Sequence, residues 1–311
     1  MKHRLENLRA ALPRLLTLDR TVDDIKINQG RILSELNRNK TSTTLSDYEF
    51  KIFSQWGEDG ILQHLTAALD IANRTFIEFG VEDFSESNCR YLMMKDAWQG
   101  FVIDGSPQHI ARLKASPIYW QYQLAGREAF ITRDNISALL DESGFAREVG
   151  ILSVDIDGND WFVLEALSAW RAEIIVVEYN AVFGHHHAVS VPYDPEFVRS
   201  RKHFSNLYWG ASLPAFDHLL RPRGYEFVGA NSTGSNAFFV RSNLINARVP
   251  AVSLAEGFRD VVFRDSRDER GNLTFLADQP RLDQIAALAL VDVATGAMLK
   301  VGDLQEARDA G

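Results

Sequence analysis

The chain has 311 residues, 46% hydrophobic and 24% charged, a balance that excludes a disordered tail, a collagen-like repeat and a small disulfide scaffold. Its formal charge of -9 lies in the body of the chain, since residues 1–50 carry more bases than acids; an acidic body repels a phosphate backbone, so nucleic acid is not an expected partner. The single cysteine, Cys89, excludes an intrachain disulfide and a cysteine-based zinc site.

Residues 1–45 read as a helical extension. Lys2, Arg4, Glu6 and Arg9 interrupt any apolar h-region, which argues against a secretory signal, and no run approaches the ~20 apolar residues of a transmembrane segment. A cytoplasmic location is the expectation. Leu5, Leu8, Leu12, Leu15 and Leu16 have helical spacing, and Pro13 is expected to bend or break that segment. Val22, Ile25, Gln29, Ile32 and Leu36 then repeat at 3-4-3-4, a short coiled-coil pattern with a polar residue in its seam. Two readings stand: a helix packed on its own domain, or a homo-oligomer formed through these helices. The Ser/Thr-rich stretch from Lys40 to Ser46 reads as a linker.

From Phe53 onward, β-like runs alternate with helical patterns: Thr75–Gly80, Phe101–Asp104, Ala129–Thr132, Ile151–Asp155 and Ile174–Tyr179. Several are apolar at consecutive positions, as in strands covered on both faces. Between them Ile61, Leu62, Leu65 and Leu69 mark a helix over Glu58–Leu69. Tyr225–Gly229 and Asn236–Arg241 are close enough to pair as a hairpin. The expected fold is an α/β, doubly wound, mostly parallel sheet, with a Rossmann-like domain over residues 46–245 and a C-terminal extension over 246–311.

Ligands of such sheets bind beyond the carboxyl ends of the strands. The first strand ends at Glu78 and Gly80, with one glycine where a dinucleotide fingerprint wants three. One glycine after an acidic strand end instead suits S-adenosylmethionine, whose cationic end a carboxylate attracts. The second strand ends at Asp104, where an acid can grip ribose hydroxyls or shape the turn before Pro107. Asp134 and Asn135 cap the next helix or meet an adenine edge.

Asp155 and Asp157 end the fourth strand, and Glu178 and Asn180 the fifth. Residues i and i+2 of a strand point the same way, so these four side chains are expected to converge. Carboxylates that close raise one another's pKa unless a cation intervenes, and Mg²⁺ or Mn²⁺ is the natural mediator. The competing reading has Asp157 and Asp160 only shaping the turn. His185, His186 and His187 read as a solvated loop, with one of them as a general base or metal ligand as the alternative.

Ser54–Gly60 (SQWGEDG), FIEFG at 76–80, SESN at 85–88, FVIDGS at 101–106, SVDIDGND at 153–160 and VVEYN at 176–180 together resemble the FkbM-like family of S-adenosylmethionine-dependent methyltransferases. The resemblance covers about residues 50–241 and implies O-methylation of a sugar or polyketide, in the setting of polysaccharide or antibiotic pathways. It implies that Glu78, Gly80, Asp104, Ser106, Asp134 and Asp155 line the cofactor pocket, with Gln55 and Asp59 near its entrance. The chain departs from the family pattern after Gly80, where Phe84 and Ser85 stand in place of a second glycine. The implied chemistry is methyl transfer to a sugar hydroxyl, with Asp155, Glu178 and Asn180 as metal ligands and Asp157 as base, His185 or His186 substituting. A different enzyme class uses part of the same pattern: Asp155-Ile156-Asp157 is also the DxD of metal-dependent glycosyltransferases.

Overall fold

The computed structural model of the chain describes residues 2–306, and the side chains of Leu18 and of residues 20–304. The parallel strands are β1 (Thr75–Phe79), β2 (Gln99–Asp104), β3 (Leu124–Glu128), β4 (Glu148–Val154) and β5 (Arg171–Glu178). They are followed by β6 (Val189–Ser190), β7 (Tyr225–Ala230), β8 (Asn236–Arg241), β9 (Ala289–Asp292) and β10 (Met298–Lys300). Seven strands make one sheet in the order β3-β2-β1-β4-β5-β8-β7, with β8 antiparallel to both of its neighbours. This is the doubly wound, mostly parallel Rossmann-like sheet that the alternating pattern led us to expect. A second sheet, β10-β9-β6, is antiparallel.

Both faces of the main sheet are covered, which is why its central strands are apolar at successive positions. Phe76, Ile151, Ile174 and Val176 pack on one side, and Ile77, Phe79, Leu152, Ile175 and Val177 on the other. The chain order reverses between β1 and β4, so their carboxyl ends open a crevice between loops that leave in opposite directions.

The third strand is not Ala129–Thr132. It is Leu124–Glu128, which pairs with Gly100–Asp104. At the sheet edge one face meets solvent, so the strand needs no apolar run. The Ala129–Thr132 stretch instead leads away beyond the strand, with Ile131 buried and Phe130 half exposed.

Helix α1 (Lys2–Arg38) is continuous through Pro13, so the expected break does not form; the leucines of residues 5–16 lie outside the described side chains. Nor is Lys40–Ser46 a free linker. Tyr48 is buried and its hydroxyl donates to the Ser42 carbonyl, while Leu45 enters the core beside Gly229. Helices α2 (Glu58–Ala68), α3 (Arg90–Asp96) and α4 (Pro107–Ala115) follow in turn. Residues beyond 245 share a core with the segment around 183–209: Phe183, Val189, Leu207 and Trp209 pack with Leu282, Leu290 and Leu304. No described helix is long and apolar enough to cross a membrane.

Candidate functional site

A cavity of about 590 Å³ lies at the carboxyl ends of β1, β2, β4 and β5. Glu78, Gly80, Asp104, Asp155, Asp157 and Glu178 line it, together with Gln55 from the loop before α2. Further walls come from Phe130 and Ile131, from Phe197 and Arg199, and from Phe263 and Asp265.

The acidic cluster lies at the ends of β4 and β5. Oxygens of Asp155, Asp157 and Glu178 all lie within 4.8 Å of one another. Burial pushes the Asp155 carboxyl well up, and the charges of Asp157 and Asp160 push it further; a hydrogen bond with Glu178 works the other way. Glu178 is likewise raised, by burial and then by Asp155 and Asp157. Oε2 of Glu178 is buried and receives no hydrogen bond. Arg199 answers part of the negative charge: its Nη1 donates to Asp157 Oδ1 at 2.7 Å, and its guanidinium lies 4.6 Å above the Trp209 ring. Burial works against the charged guanidinium, but Asp157 and Glu178 outweigh it and hold the pKa above its ordinary value.

The turn that presents Asp157 is built by Asp160. Its two oxygens accept from Ile156 N at 2.7 Å and Gly158 N at 2.8 Å, which leaves Asp157 in the left-handed region at φ 56°. The turn, and not strand alternation, therefore brings Asp157 to Asp155, since β4 ends at Val154. Gly80 has φ 65°, and a Cβ there would stand 1.9 Å from the Asp155 carbonyl oxygen. Its missing side chain makes room for the neighbouring strand end, and Gly80 also lines the cavity. Phe84, where the resemblance leads one to expect glycine, also takes a left-handed φ of 67° and is fully buried against Phe76.

Two strand-end acids organise loops as well as lining the cavity. Glu78 accepts from Ser87 Oγ and Asn88 N, both at 2.7 Å, and from Cys89 N at 3.2 Å. Asp104 accepts from Glu82 N and Ser106 N, each at 2.8 Å, and so ties the loop after β1 to the loop after β2. His109 Nδ1 lies 3.3 Å from Oδ1 as well, whereas Oδ2 has only the Glu82 N–H and so retains capacity for a ligand.

Several expected site residues lie elsewhere. Asp59 does not line the cavity; it is fully buried, and its Oδ2 accepts from the N–H groups of Ile52, Phe53 and Ser54 at 2.7, 2.7 and 2.8 Å. Together with Glu58, which accepts from Trp56 N and Gly57 N, it shapes the loop that carries Gln55 and Trp56 to the cavity. Asn180 does not line the cavity with the acidic cluster. β5 stops at Glu178, so alternation ends there, and the Asn180 amide donates to the carbonyls of Leu207 and Trp209. Ser106 caps α4, and Asp134 is exposed beside Arg133. The His185 ring packs at a tilt against those of His186 and Phe258, and neither histidine is part of the cavity wall.

Arg199, Phe263 and Asp265 escaped the sequence reading. Arg199 sits in a basic RSRK run that resembles a solvated helix. Trp56 stacks on Phe263 with ring centroids 5.7 Å apart and planes 2° from parallel, and Asp265 follows two residues on. Arg199 and the pair from the C-terminal extension belong to no strand end, so no positional rule marks them.

No protein-family model matches the chain, and no curated protein matches it. Among solved structures it is similar to an O-methyltransferase of Bacillus cereus in complex with SAH, at 14% identity over 72% of this chain and 95% of that one, with a TM-score of 0.41. A protein of Staphylococcus aureus described as a caffeoyl-CoA O-methyltransferase matches at 13% identity over 69% and 91%, with a TM-score of 0.39. Values this low leave the chemistry to be argued from the chain's own residues.

Proposed function

We propose that the chain is an FkbM-like, S-adenosylmethionine-dependent O-methyltransferase that acts on a sugar hydroxyl with the help of a divalent metal. The observation that carries this reading is a single cavity joining the Gly80 and Asp104 strand ends to the Asp155–Asp157–Glu178 cluster. Its volume lies in the range of small-molecule sites. The Asp104 side, with its spare acceptor capacity and the apolar wall of Phe130 and Ile131, suits a nucleoside. S-adenosylmethionine bound there would supply a methyl group on a positive sulfur: the carbon–oxygen bond to the acceptor forms as the carbon–sulfur bond breaks, and the hydroxyl proton leaves to a base.

The chain's own residues fit the rest. Asp155 and Glu178 are the proposed metal ligands, and the donor set is one of hard oxygens, as Mg²⁺ or Mn²⁺ requires. The unpartnered Glu178 Oε2 is the structural sign that this cluster is built to receive something. A bound divalent ion would polarise the acceptor hydroxyl. Asp157, oriented by Arg199 on one oxygen, takes the proton. The paired rings of Trp56 and Phe263 offer an apolar face of the kind that stacks on a sugar ring.

The test is calorimetric titration with S-adenosylmethionine and with a UDP-sugar, each with and without Mn²⁺, followed by methyl transfer to candidate glycans in EDTA. Binding of S-adenosylmethionine and loss of turnover in chelator, restored by Mn²⁺, is the expected result. Tight binding of the UDP-sugar alone would transfer the chain to the DxD glycosyltransferases, and full activity in EDTA would remove the metal.

A further inference from the structure

We propose that the outward face of α1 is a self-association seam that receives the same face of a second copy of this chain, the two helices running parallel. The helix has two faces with different partners. One is sealed on its own domain: Ile27 is buried with Phe50, Ile52, Phe53 and Tyr91. Along that face Asp23 pairs with Arg90 at 2.7 Å, Ser34 Oγ meets the Tyr91 hydroxyl at 3.0 Å, and Asn37 donates to the Tyr48 carbonyl. Gly30 lets the Tyr91 ring press against the helix, where a Cβ would come within 2.5 Å of it.

The opposite face carries Leu18, Val22, Ile25, Ile32 and Leu36, each between 40% and 64% exposed. With the exposed Gln29 they occupy every position of a 4-3-4-3-4 repeat, about 27 Å of helix at 1.5 Å per residue.

The spacing names the occupant. A helix that packs on a globular surface shows a stripe wider than 100°, whereas a narrow two-position stripe of period 3.5 matches another helix of the same period. The second copy supplies that helix. Gln29 sets the register, because in parallel pairing its amide lies opposite the same amide and the two can exchange hydrogen bonds. A slipped register would bury each amide against aliphatic side chains at the cost of its hydrogen bonds. Charge decides the orientation. Within the helix, parallel pairing puts Thr21 and Asn28 beside Lys26 and Leu33 of the other copy, with no like charges adjacent. Antiparallel pairing that keeps all six layers would set Lys26 against itself. Because its inner face already orders the helix, association does not have to nucleate it.

Sedimentation of the full chain tests this. The expected species has twice the 35.1 kDa chain mass, and the Ile25→Asp/Ile32→Asp variant sediments as a single chain with the far-ultraviolet spectrum and melting point of the wild type. Both side chains are exposed, so the substitution leaves the domain core intact. A single-chain wild type, or a double variant still paired, overturns the seam. Orientation is read from an Ile25→Cys variant, whose only other thiol, Cys89, is buried. Oxidation should link two copies through position 25; self-association without that link overturns the parallel arrangement.

Discussion

Asp59 offers the sharpest test of how the loop bearing Gln55 and Trp56 is held. Its carboxyl is fully buried, one oxygen accepts four hydrogen bonds from residues 52–54, and the other has no partner. Burial pushes its pKa up to about 6, against the hydrogen bonds that lower it. A folded pKa above the unfolded value means that the contribution to stability is fully present below pH 3.8 and is lost as the pH rises through about 6. At roughly 1.4 kcal/mol per pH unit, the whole effect is about 3 kcal/mol. Asp59→Asn keeps a carbonyl acceptor for the loop and cannot ionise. Urea unfolding at pH 4 and pH 7.5 should show the difference between variant and wild type moving by about 2–3 kcal/mol in favour of the variant. Asp160, also raised to about 6, cancels because both proteins carry it. Asp59→Ala, by contrast, leaves three buried N–H groups unpaired at about 1–3 kcal/mol each, and should weaken ligand binding by releasing the loop. A difference between wild type and Asp59→Asn that does not vary with pH would refute the reasoning.

Gly80→Ala should lower the melting temperature by on the order of 5–10 °C, since it adds left-handed strain to a collision with the Asp155 carbonyl; a melt within a degree of wild type would contradict it. Asn180→Ala should destabilise the fold by about 2 kcal/mol or more, because two buried carbonyls and the Val182 N–H lose a partner. Its Mn²⁺ affinity, measured by calorimetry, should be that of the wild type. His185→Ala and His186→Ala should each leave kcat within about twofold and the pH–rate profile unmoved, because neither residue reaches the cavity.

The elements most legible in the sequence are those whose burial is two-sided. TFIEF, GILSV and IIVVE are apolar at successive positions because helices cover both faces of the sheet. The edge strand LAGRE carries no such demand and was invisible; the more apolar AFIT beside it took its place. The heptad on α1 was legible as a repeat, but not which of two faces would meet the domain. The polar residues Asp23, Ser34 and Asn37 hold the inner face, and the apolar stripe is the one left outside.

The candidate site divides in the same way. Glu78, Asp104, Asp155 and Glu178 could be found because strand ends in this topology point into one crevice, and a strand end is visible in sequence. Asp59 and Asn180 share the chemistry of those residues but spend it on nearby or distant backbone, and residue type alone does not tell a ligand from a cap.

Order along the chain thus determined the layered architecture and the acids at the strand ends, since both follow from local periodicity and turn position. Folding alone decided what closes around those acids: Arg199 reaches Asp157 across 42 residues, and Glu58 is gripped by Asn231 across 173. Such pairings depend on the geometry of the closed sheet, to which no short stretch of sequence has access.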